Sequence, residues 1–371
     1  MPSRTGPEGH RARRAGCSAG LGWASVSATC LMAWQLAGCA SAPSPATPAG
    51  VAQVAPVAAA APPVRPADGV LARNERLLIY LPQEGDSLAS VAQRWLGSAA
   101  RAWEIGEANE ITQLRAGTPV AVPLRPINPT GVRADRVQIV PILCYHRIGQ
   151  ATGRMTLSAA SLAQQFEWLA GNGYSVVRLQ DLLGFLEGRQ ALPARSVVLT
   201  FDDGYESHHR LLLPLLKKHG FPATVFLYTD FVGGSDALSW SQMQEMVASG
   251  LVDIQAHSKT HANLIERAPD ETDARYRQRI EAEVRLPRET IERRLQQPVQ
   301  NYAYPFGDTN EIVLELLARH HYQLAVTVHP GGNPFYAQPL MLHRVMIFGG
   351  HTLEDFKARL QTSRSTTLPP P

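Results

Sequence analysis

Short apolar runs alternate with longer amphipathic segments from Val137 onward, and this alternation limits the fold more than any other feature of the chain. The apolar runs have the length of buried strands and cover residues 137–144, 197–200, 223–227, 252–255, 324–328 and 342–347. The amphipathic segments predict helices and cover residues 158–171, 205–219, 240–249, 309–319 and 352–361. Strands that alternate with helices form a parallel sheet, and this many repeats favour a barrel. We therefore predict the α/β class, with a distorted (β/α) barrel over residues 137–362.

One segment of this region departs from the amphipathic pattern. Glu271 to Gln297 is rich in charged residues and contains Pro287. Proline lacks a backbone N–H and disrupts the interior of a helix. We predict a solvated surface helix that is broken at Pro287.

Carboxylates and histidines follow two of the predicted strands, at the point where each strand ends. Asp202 and Asp203 come directly after one apolar run, and His257 and His261 follow a later one. In barrels of this kind the carboxyl ends of the strands carry the chemistry. Two adjacent carboxylates beside a buried run are costly unless a cation compensates them. Asp203, His257 and His261 together offer one oxygen and two nitrogens, which predicts a divalent metal site open to water and substrate.

These residues belong to longer motifs that resemble a known family. Thr-Phe-Asp-Asp-Gly, His-Ser-x-x-His and Tyr-Pro-Phe-Gly are similar to motifs of the polysaccharide deacetylases of carbohydrate esterase family four, over residues 140–347. The opening Pro-Ile-Leu-Cys-Tyr-His-Arg-Ile resembles the branch that deacetylates poly-N-acetylglucosamine. The resemblance implies that Asp202 is the general base and that Asp203, His257 and His261 hold the metal. The ligand types favour Zn²⁺, with Ni²⁺ or Co²⁺ as alternatives.

The resemblance also implies roles for which this chain offers less direct matches. The backbone N–H of Phe306 would stabilise the oxyanion. Ala303 stands where the family has an arginine, so we expect Arg344 to substitute for it. For the general acid the chain offers His343, at the late position typical of the family, and His146, at the end of the first strand. We favour His146, because the first strand of a closed barrel can lie beside the last.

The N-terminus has the composition of a targeting signal. Arginines at 11, 13 and 14 precede an uncharged run that ends in Leu36-Ala37-Gly38-Cys39 and resembles the lipobox of bacterial lipoproteins. An ordinary signal peptide and a membrane-spanning helix are the alternatives. We predict a lipoprotein signal peptide over 1–38, a lipidated Cys39 that anchors the protein to a membrane, and an Ala/Pro-rich tether over 39–72. Ala40 follows the cysteine, which favours an outer-membrane lipoprotein facing the periplasm or the exterior.

A small module separates the tether from the barrel. Residues 75–126 predict a strand, two helices and a returning strand, and this βααβ pattern resembles the lysin motif (LysM), which binds N-acetylglucosamine chains. A spacer without a ligand is the alternative. By the match, two loops would contact the glycan; their predicted glycan-binding residues are Gly85, Asp86, Ser87, Leu88, Asn109 and Ile111.

The charge balance excludes one class of function. The chain has 35 Lys and Arg residues and 32 Asp and Glu residues, of which the first 38 residues contain four arginines and one glutamate. The remainder is therefore neutral and lacks the basic excess that nucleic-acid binding requires. We predict metal-dependent N-deacetylation of an N-acetylglucosamine exopolysaccharide at the bacterial cell envelope. The alternatives are a peptidoglycan N-acetylglucosamine deacetylase and a catalytically inactive glycan-binding lipoprotein.

Overall fold

A computed structural model of the chain describes residues 68–150 and 153–366. These residues lie within one compact unit that spans Val64–Pro371. The predicted signal peptide, Cys39 and nearly all of the predicted tether lie outside the described residues. Among the described helices, none combines the length and the apolar character that crossing a membrane requires.

The N-terminal part of this unit is a three-stranded sheet covered by two helices. The strands are β1 (Val70–Arg73), β2 (Leu77–Tyr80) and β3 (Val120–Pro123), and the helices are α1 (Leu88–Leu96) and α2 (Ala102–Asn109). β2 lies in the centre and pairs antiparallel with both neighbours. Ser87 begins α1 with a capping box, which satisfies N–H groups that the first turn leaves free. The four elements expected from the sequence are present, and β1 is an additional strand.

The larger part contains thirteen of the described strands. They are β4 (Arg136–Gln138), β5 (Val140–Tyr145), β6 (Arg147–Gly149), β7 (Thr156–Ser158), β8 (Ser175–Val176), β9 (Ser196–Phe201), β10 (Ala223–Leu227), β11 (Val252–Ala256), β12 (Asn301–Ala303), β13 (Leu324–Val326), β14 (Gly332–Asn333), β15 (Val345–Met346) and β16 (Ser363–Ser365). The main sheet runs β13-β12-β11-β10-β9-β5-β14, and β15 and β8 pair parallel with β5 and β9. β5 and β9 are buried along their whole length, as the apolar runs predict.

The sheet curls into a half-barrel, so the predicted closed barrel is only partly formed. The segment from Leu342 to Met346 contacts strands on both sides of the curled sheet, β13 and β5. Leu342 forms an isolated parallel bridge with Val326 of β13, whereas β15 pairs with β5. The predicted strand 342–347 is therefore reduced to two residues, because the segment changes its partner midway. The first strand of the domain does lie beside its last.

Helices cover the outside of this sheet. They are α3 (Ala159–Gly171), α4 (Asp181–Leu186), α5 (Leu213–His219), α6 (Trp240–Ala248), α7 (Asp273–Leu295), α8 (Glu311–Arg319) and α9 (Leu353–Ala358). The predicted helix 205–219 begins later, with a π-helical turn at His208–Leu212 that leads into α5. The predicted strand 137–144 is divided into β4, which pairs with β16, and β5.

The prediction for the segment Glu271 to Gln297 was wrong in two respects. α7 is one continuous helix of 23 residues with Pro287 inside it, and one of its faces is buried. Proline removes the hydrogen bond to the carbonyl four residues earlier, which is that of Glu283. The hydroxyl of Tyr302 lies 3.4 Å from this carbonyl oxygen and donates to it instead. The buried face packs Ile280 and Val284 into the main core, which keeps the helix against the sheet.

Candidate functional site

Polar side chains collect at one edge of the main sheet, where its parallel strands end. His146 follows β5, Asp202 and Asp203 follow β9, and His257 follows β11. The carboxyl ends of parallel strands meet at one edge, so residues far apart in the sequence become neighbours there. Two groups result, one of Asp203, His257 and His261, and one of Cys144, His146 and Asp202.

The first group has the dimensions of a metal site. Asp203 Oδ1 lies 3.6 Å from His257 Nε2 and 3.4 Å from His261 Nε2, and the three ligand atoms all lie within 4.8 Å of one another. These distances exceed those of ordinary hydrogen bonds. Ligands about 2.1 Å from a tetrahedral ion are separated by about 3.4 Å. The observed separations fit that spacing.

Both histidines direct a neutral ring nitrogen toward the candidate metal position. His257 donates from Nδ1 to the Ala303 carbonyl of β12 at 2.8 Å, which leaves the lone pair of Nε2 free. Burial lowers the pKa of His257 to about 3 and also lowers the pKa of His261, so neither ring is charged near neutral pH. Neutral imidazoles are the form that binds metals.

Asp203 lacks a protein cation of its own. Among the described residues, its ion-pair partners within 4 Å are His257 and His261 alone, with no lysine or arginine. Burial, with the neighbouring charge of Asp202, raises the pKa of Asp203 to about 6. The nearby Tyr205 hydroxyl partly opposes this rise in the pKa of Asp203. A bound cation would stabilise the ionised form, so the donor set and its electrostatics fit a divalent metal.

Asp202 lies in a different environment, because Arg344 compensates its charge. Arg344 Nη1 donates to Asp202 Oδ1 at 2.7 Å, and the two side chains are 0% and 2% exposed. Burial alone would raise the pKa of Asp202, but the Arg344 guanidinium holds it well below its usual range. Arg344 is fixed in turn by its bond from Nε to the Thr327 carbonyl at 2.7 Å. Arg344 therefore contacts the predicted base directly, and its role as a substitute for the family's arginine stays a prediction.

His146 lies on the other side of Asp202. Its Nε2 is 4.0 Å from Asp202 Oδ2, and its side chain is 13% exposed. His208 donates from Nε2 to the His146 carbonyl at 2.9 Å, which fixes the backbone of this residue. Cys144 is buried on β5, with Sγ 3.5 Å from Asp202 Oδ2.

The structure does not bring His343 into this group. Side chains alternate along an extended segment, and here Leu342 and Arg344 are buried whereas His343 is exposed. Its backbone is held by Asn333, and its ring lies 6.2 Å from the ring of His329. The two candidates for the acid therefore differ in position, and only His146 lies near Asp202.

Phe306 follows β12 in a short 3₁₀ turn, Pro305–Gly307, with a left-handed φ of 61°. Its side chain is 59% exposed, and its ring lies 5.0 Å from that of His261. An N–H in the first turn of a helix has no partner within that turn. Phe306 is therefore adjacent to the predicted metal ligands and carries an N–H of the kind that can bind an oxyanion.

The residues predicted to bind glycan in the N-terminal module have structural contacts. Asp86 accepts hydrogen bonds from the Tyr80 hydroxyl and the Gln83 N–H, both at 2.7 Å. Ser87 caps α1, and Asn109 bonds to the backbone of Ile105 and Ala121. Gly85 has a positive φ of 89° in the turn before this cap, and Leu88 and Ile111 pack at the edge of the module's core. Their glycan-binding role stays a prediction.

Three residues around the site were not identified from the sequence. Tyr205 lies near Asp203. His208 donates to the His146 carbonyl, and Glu283 accepts from the backbone of the His257–His261 loop. Tyr205 directly follows the Asp-Asp-Gly motif, which was a signal of proximity. His208 and Glu283 reach the site from a π-helical turn and from α7, and nothing in their local sequence indicates it.

Part of the chain is similar to known proteins. Residues 189–325 match the polysaccharide deacetylase family. The chain is 26% identical to the Bacillus subtilis protein YxkH over 233 residues, which cover 63% of this chain and 80% of YxkH. It is also 26% identical to the poly-β-1,6-N-acetyl-D-glucosamine N-deacetylase of Escherichia coli over 243 residues. That match covers 56% of this chain and 36% of the E. coli enzyme, so the chain spans about a third of that relative's length.

Solved structures show the same fold. IcaB from Ammonifex degensii has a TM-score of 0.55 at 27% identity, over 61% of this chain and 98% of its own. BC0361, a polysaccharide deacetylase from Bacillus cereus, has a TM-score of 0.51 at 26% identity, over 68% of this chain and 74% of its own. The fold and the relatives agree: residues 189–325 are similar to the polysaccharide deacetylase family, and the similarity indicates a hydrolytic enzyme.

Proposed function

We propose that this protein is a metal-dependent N-deacetylase of N-acetylglucosamine polymers, and that an exopolysaccharide of the poly-β-1,6-N-acetylglucosamine type is its substrate. One observation carries the proposal. A candidate metal triad, Asp203, His257 and His261, lies directly beside a buried carboxylate that has its own arginine. The substrate class is supported by the E. coli relative, whose name states that polymer.

Each residue then has a role in breaking the acetamide bond. A divalent ion held by Asp203, His257 and His261 would supply Lewis-acid chemistry to the water and the acetamide carbonyl. Asp202, kept ionised by Arg344, accepts the proton from the attacking water. Its Oδ2 is the oxygen not bound to Arg344 and is the one available for this transfer. The Phe306 N–H donates to the oxyanion.

His146 completes the reaction as the general acid. When the bond between the carbonyl carbon and nitrogen breaks, the departing amine needs a proton to leave as a neutral group. His146 lies beside Asp202, and its side chain is partly exposed. The products are acetate and a glucosamine unit within the polymer.

We also propose an envelope location and a glycan-binding role for the N-terminal module. Both rest on the sequence, through the Leu-Ala-Gly-Cys39 motif and the lysin-motif resemblance of residues 75–126. Radiolabelled palmitate incorporation, compared in the wild type and Cys39→Ala, tests the lipid anchor. Binding of chitin oligomers, followed by NMR around Gly85 to Leu88, tests the module.

The enzymatic proposal is tested with two substrates in parallel. Purified protein is incubated with Zn²⁺ and either poly-β-1,6-N-acetylglucosamine oligomers or peptidoglycan fragments, and acetate loss is measured by mass spectrometry. We expect loss from the oligomers. Loss from peptidoglycan fragments alone would assign the peptidoglycan substrate, and no loss from either would favour an inactive glycan-binding protein.

A further inference from the structure

The loop that joins the two histidines of the metal triad has an unusual backbone. Ser258 and His261 have φ angles of 76° and 62°, in the left-handed region that residues with side chains rarely adopt. Such a conformation persists only where surrounding contacts determine it. One of these contacts is internal, because Ser258 Oγ accepts from the His261 N–H at 2.8 Å.

The N–H groups of Thr229 and Asp230 donate to the carbonyls of Ser258 and Lys259, at 3.3 Å and 2.9 Å. Two N–H groups inside the loop are satisfied by a single carboxylate on α7. Glu283 accepts hydrogen bonds from the N–H groups of Lys259 and Thr260, both at 2.9 Å, and from the Thr260 hydroxyl at 2.8 Å. Glu283 is 5% exposed, and within the described part of the chain it has no lysine or arginine ion-pair partner within 4 Å. A carboxylate is buried at a cost unless donors satisfy it, and here the loop supplies them. The contact therefore joins the histidine loop to the longest helix of the domain.

We propose that Glu283 is a positioning residue that holds the His257–His261 loop in the conformation that aims His261 at Asp203. This inference rests on the proposed metal-dependent function. His257 has a separate support in the Ala303 carbonyl. The His261 ring contacts the rings of Tyr228 and Phe306, at 5.1 Å and 5.0 Å, and takes its direction from the loop backbone. Without Glu283 the three donors lose their acceptor, and the bonds from Thr229 and Asp230 are left to hold the loop on one side alone. The left-handed angles are then no longer fixed from α7, and the loop can shift toward ordinary backbone angles. His261 would then leave its place 3.4 Å from Asp203.

Substitutions at Glu283 separate hydrogen bonding from charge. Glu283→Ala removes all three contacts. Glu283→Gln keeps the shape, because its amide oxygen can accept both N–H groups while its NH₂ donates to the Thr260 hydroxyl. Glu283→Asp keeps the charge but withdraws the carboxylate by one methylene. Glu281→Ala is the matched control, since Glu281 lies on the same helix and, among the described residues, forms its ion pair with His320, at 3.3 Å.

The test measures metal binding without turnover. Full-length protein of each variant, stripped of metal, is titrated with Co²⁺, whose visible absorption reports both affinity and ligand geometry. We expect Glu283→Ala and Glu283→Asp to lower the Co²⁺ affinity about 10- to 100-fold, as loss of an outer-shell partner typically does. Glu283→Gln and Glu281→Ala should bind like the wild type. Denaturant unfolding of the metal-free proteins is measured alongside.

The outcomes distinguish this inference from the proposed function. A wild type that binds no Co²⁺ would overturn the metal-dependent function itself. Co²⁺ binding that is strong in the wild type and unchanged in Glu283→Ala would overturn the positioning role, even where the variant is less stable. Should the alanine variant fail to fold, Glu283→Asp decides the question in the same way. Equal losses in Glu283→Gln and Glu283→Ala would contradict a role based on hydrogen bonds.

Discussion

The two aspartates that follow β9 are neighbours in the sequence but lie in opposite electrostatic environments. Asp202 is paired with the buried Arg344, which holds its pKa well below the usual range. Asp203 faces two neutral histidines, and burial with the charge of Asp202 raises its pKa to about 6. One carboxylate is compensated by the protein, and the other is left to be compensated by an ion. In the proposed mechanism this difference separates the proton acceptor, Asp202, from the metal ligand, Asp203.

The difference between the two aspartates is tested by substituting each of them separately. Asp203→Ala, like His257→Ala, removes a ligand and should lose both the bound metal and all measurable turnover. Asp202→Asn should keep the metal and lower turnover by about 10²- to 10⁴-fold, because it removes only the base. Metal analysis of the purified variants, with deacetylation assays, checks both expectations. An Asp202→Asn protein without metal, or with full activity, would reverse the assignment.

A second comparison concerns the two candidate general acids, His146 after the early strand β5 and His343 before the late strand β15. His146→Ala should lower turnover at saturating substrate by about 10²- to 10⁴-fold, since it removes the proton donor to the amine. His343→Ala should leave turnover near the wild-type value, because that ring is exposed away from Asp202. If His343→Ala lowers turnover and His146→Ala does not, the general acid is His343, at the late position typical of the family.

The arginine partner of Asp202 is expected to matter for stability as well as for activity. Arg344→Met leaves Asp202 buried without its cation and should lower the free energy of unfolding by about 3–5 kcal/mol. Denaturant unfolding measures this, with Arg210→Met as the control, because Arg210 forms only an exposed pair with Glu206. A loss no larger than that of the control would mean that Asp202 is neutral or hydrated.

The smallest expected effect concerns the environment of Asp203. Tyr205→Phe removes the nearby hydroxyl that favours the ionised form of this carboxylate and should weaken metal binding about tenfold, with little change in stability. Competition with a chelating dye measures the affinity. Tyr174→Phe is the control, because its hydroxyl bonds to the distant Leu360 carbonyl. Equal affinities in the two variants would show that Tyr205 does not orient Asp203.

Much of the site could be predicted because it follows from short stretches of sequence. Asp202 and Asp203 come after a fully buried strand, and His257 directly follows another, so the sheet places them at one edge. The motifs within these stretches are local, and their spacing hardly depends on the rest of the chain. The same is true of the N-terminal module, whose strands and helices are where the sequence predicts them.

The sequence by itself determined the α/β class, the strand ends that carry the chemistry and the identity of the candidate ligands. The family resemblance pointed to Arg344, but only the tertiary structure decided that its side chain reaches Asp202 and that Glu283 reaches the histidine loop. Arg344 and Asp202 are 142 residues apart, and their contact depends on how the sheet curls and on which face of the last segment is buried. Because side chains alternate along this extended segment, His343 is exposed where Leu342 and Arg344 are buried. Glu283 reaches the histidine loop because α7 continues through Pro287 as one helix. The Tyr302 hydroxyl donates to the Glu283 carbonyl, which the proline leaves without its usual helical donor. Such contacts depend on packing between elements, and no local pattern encodes them.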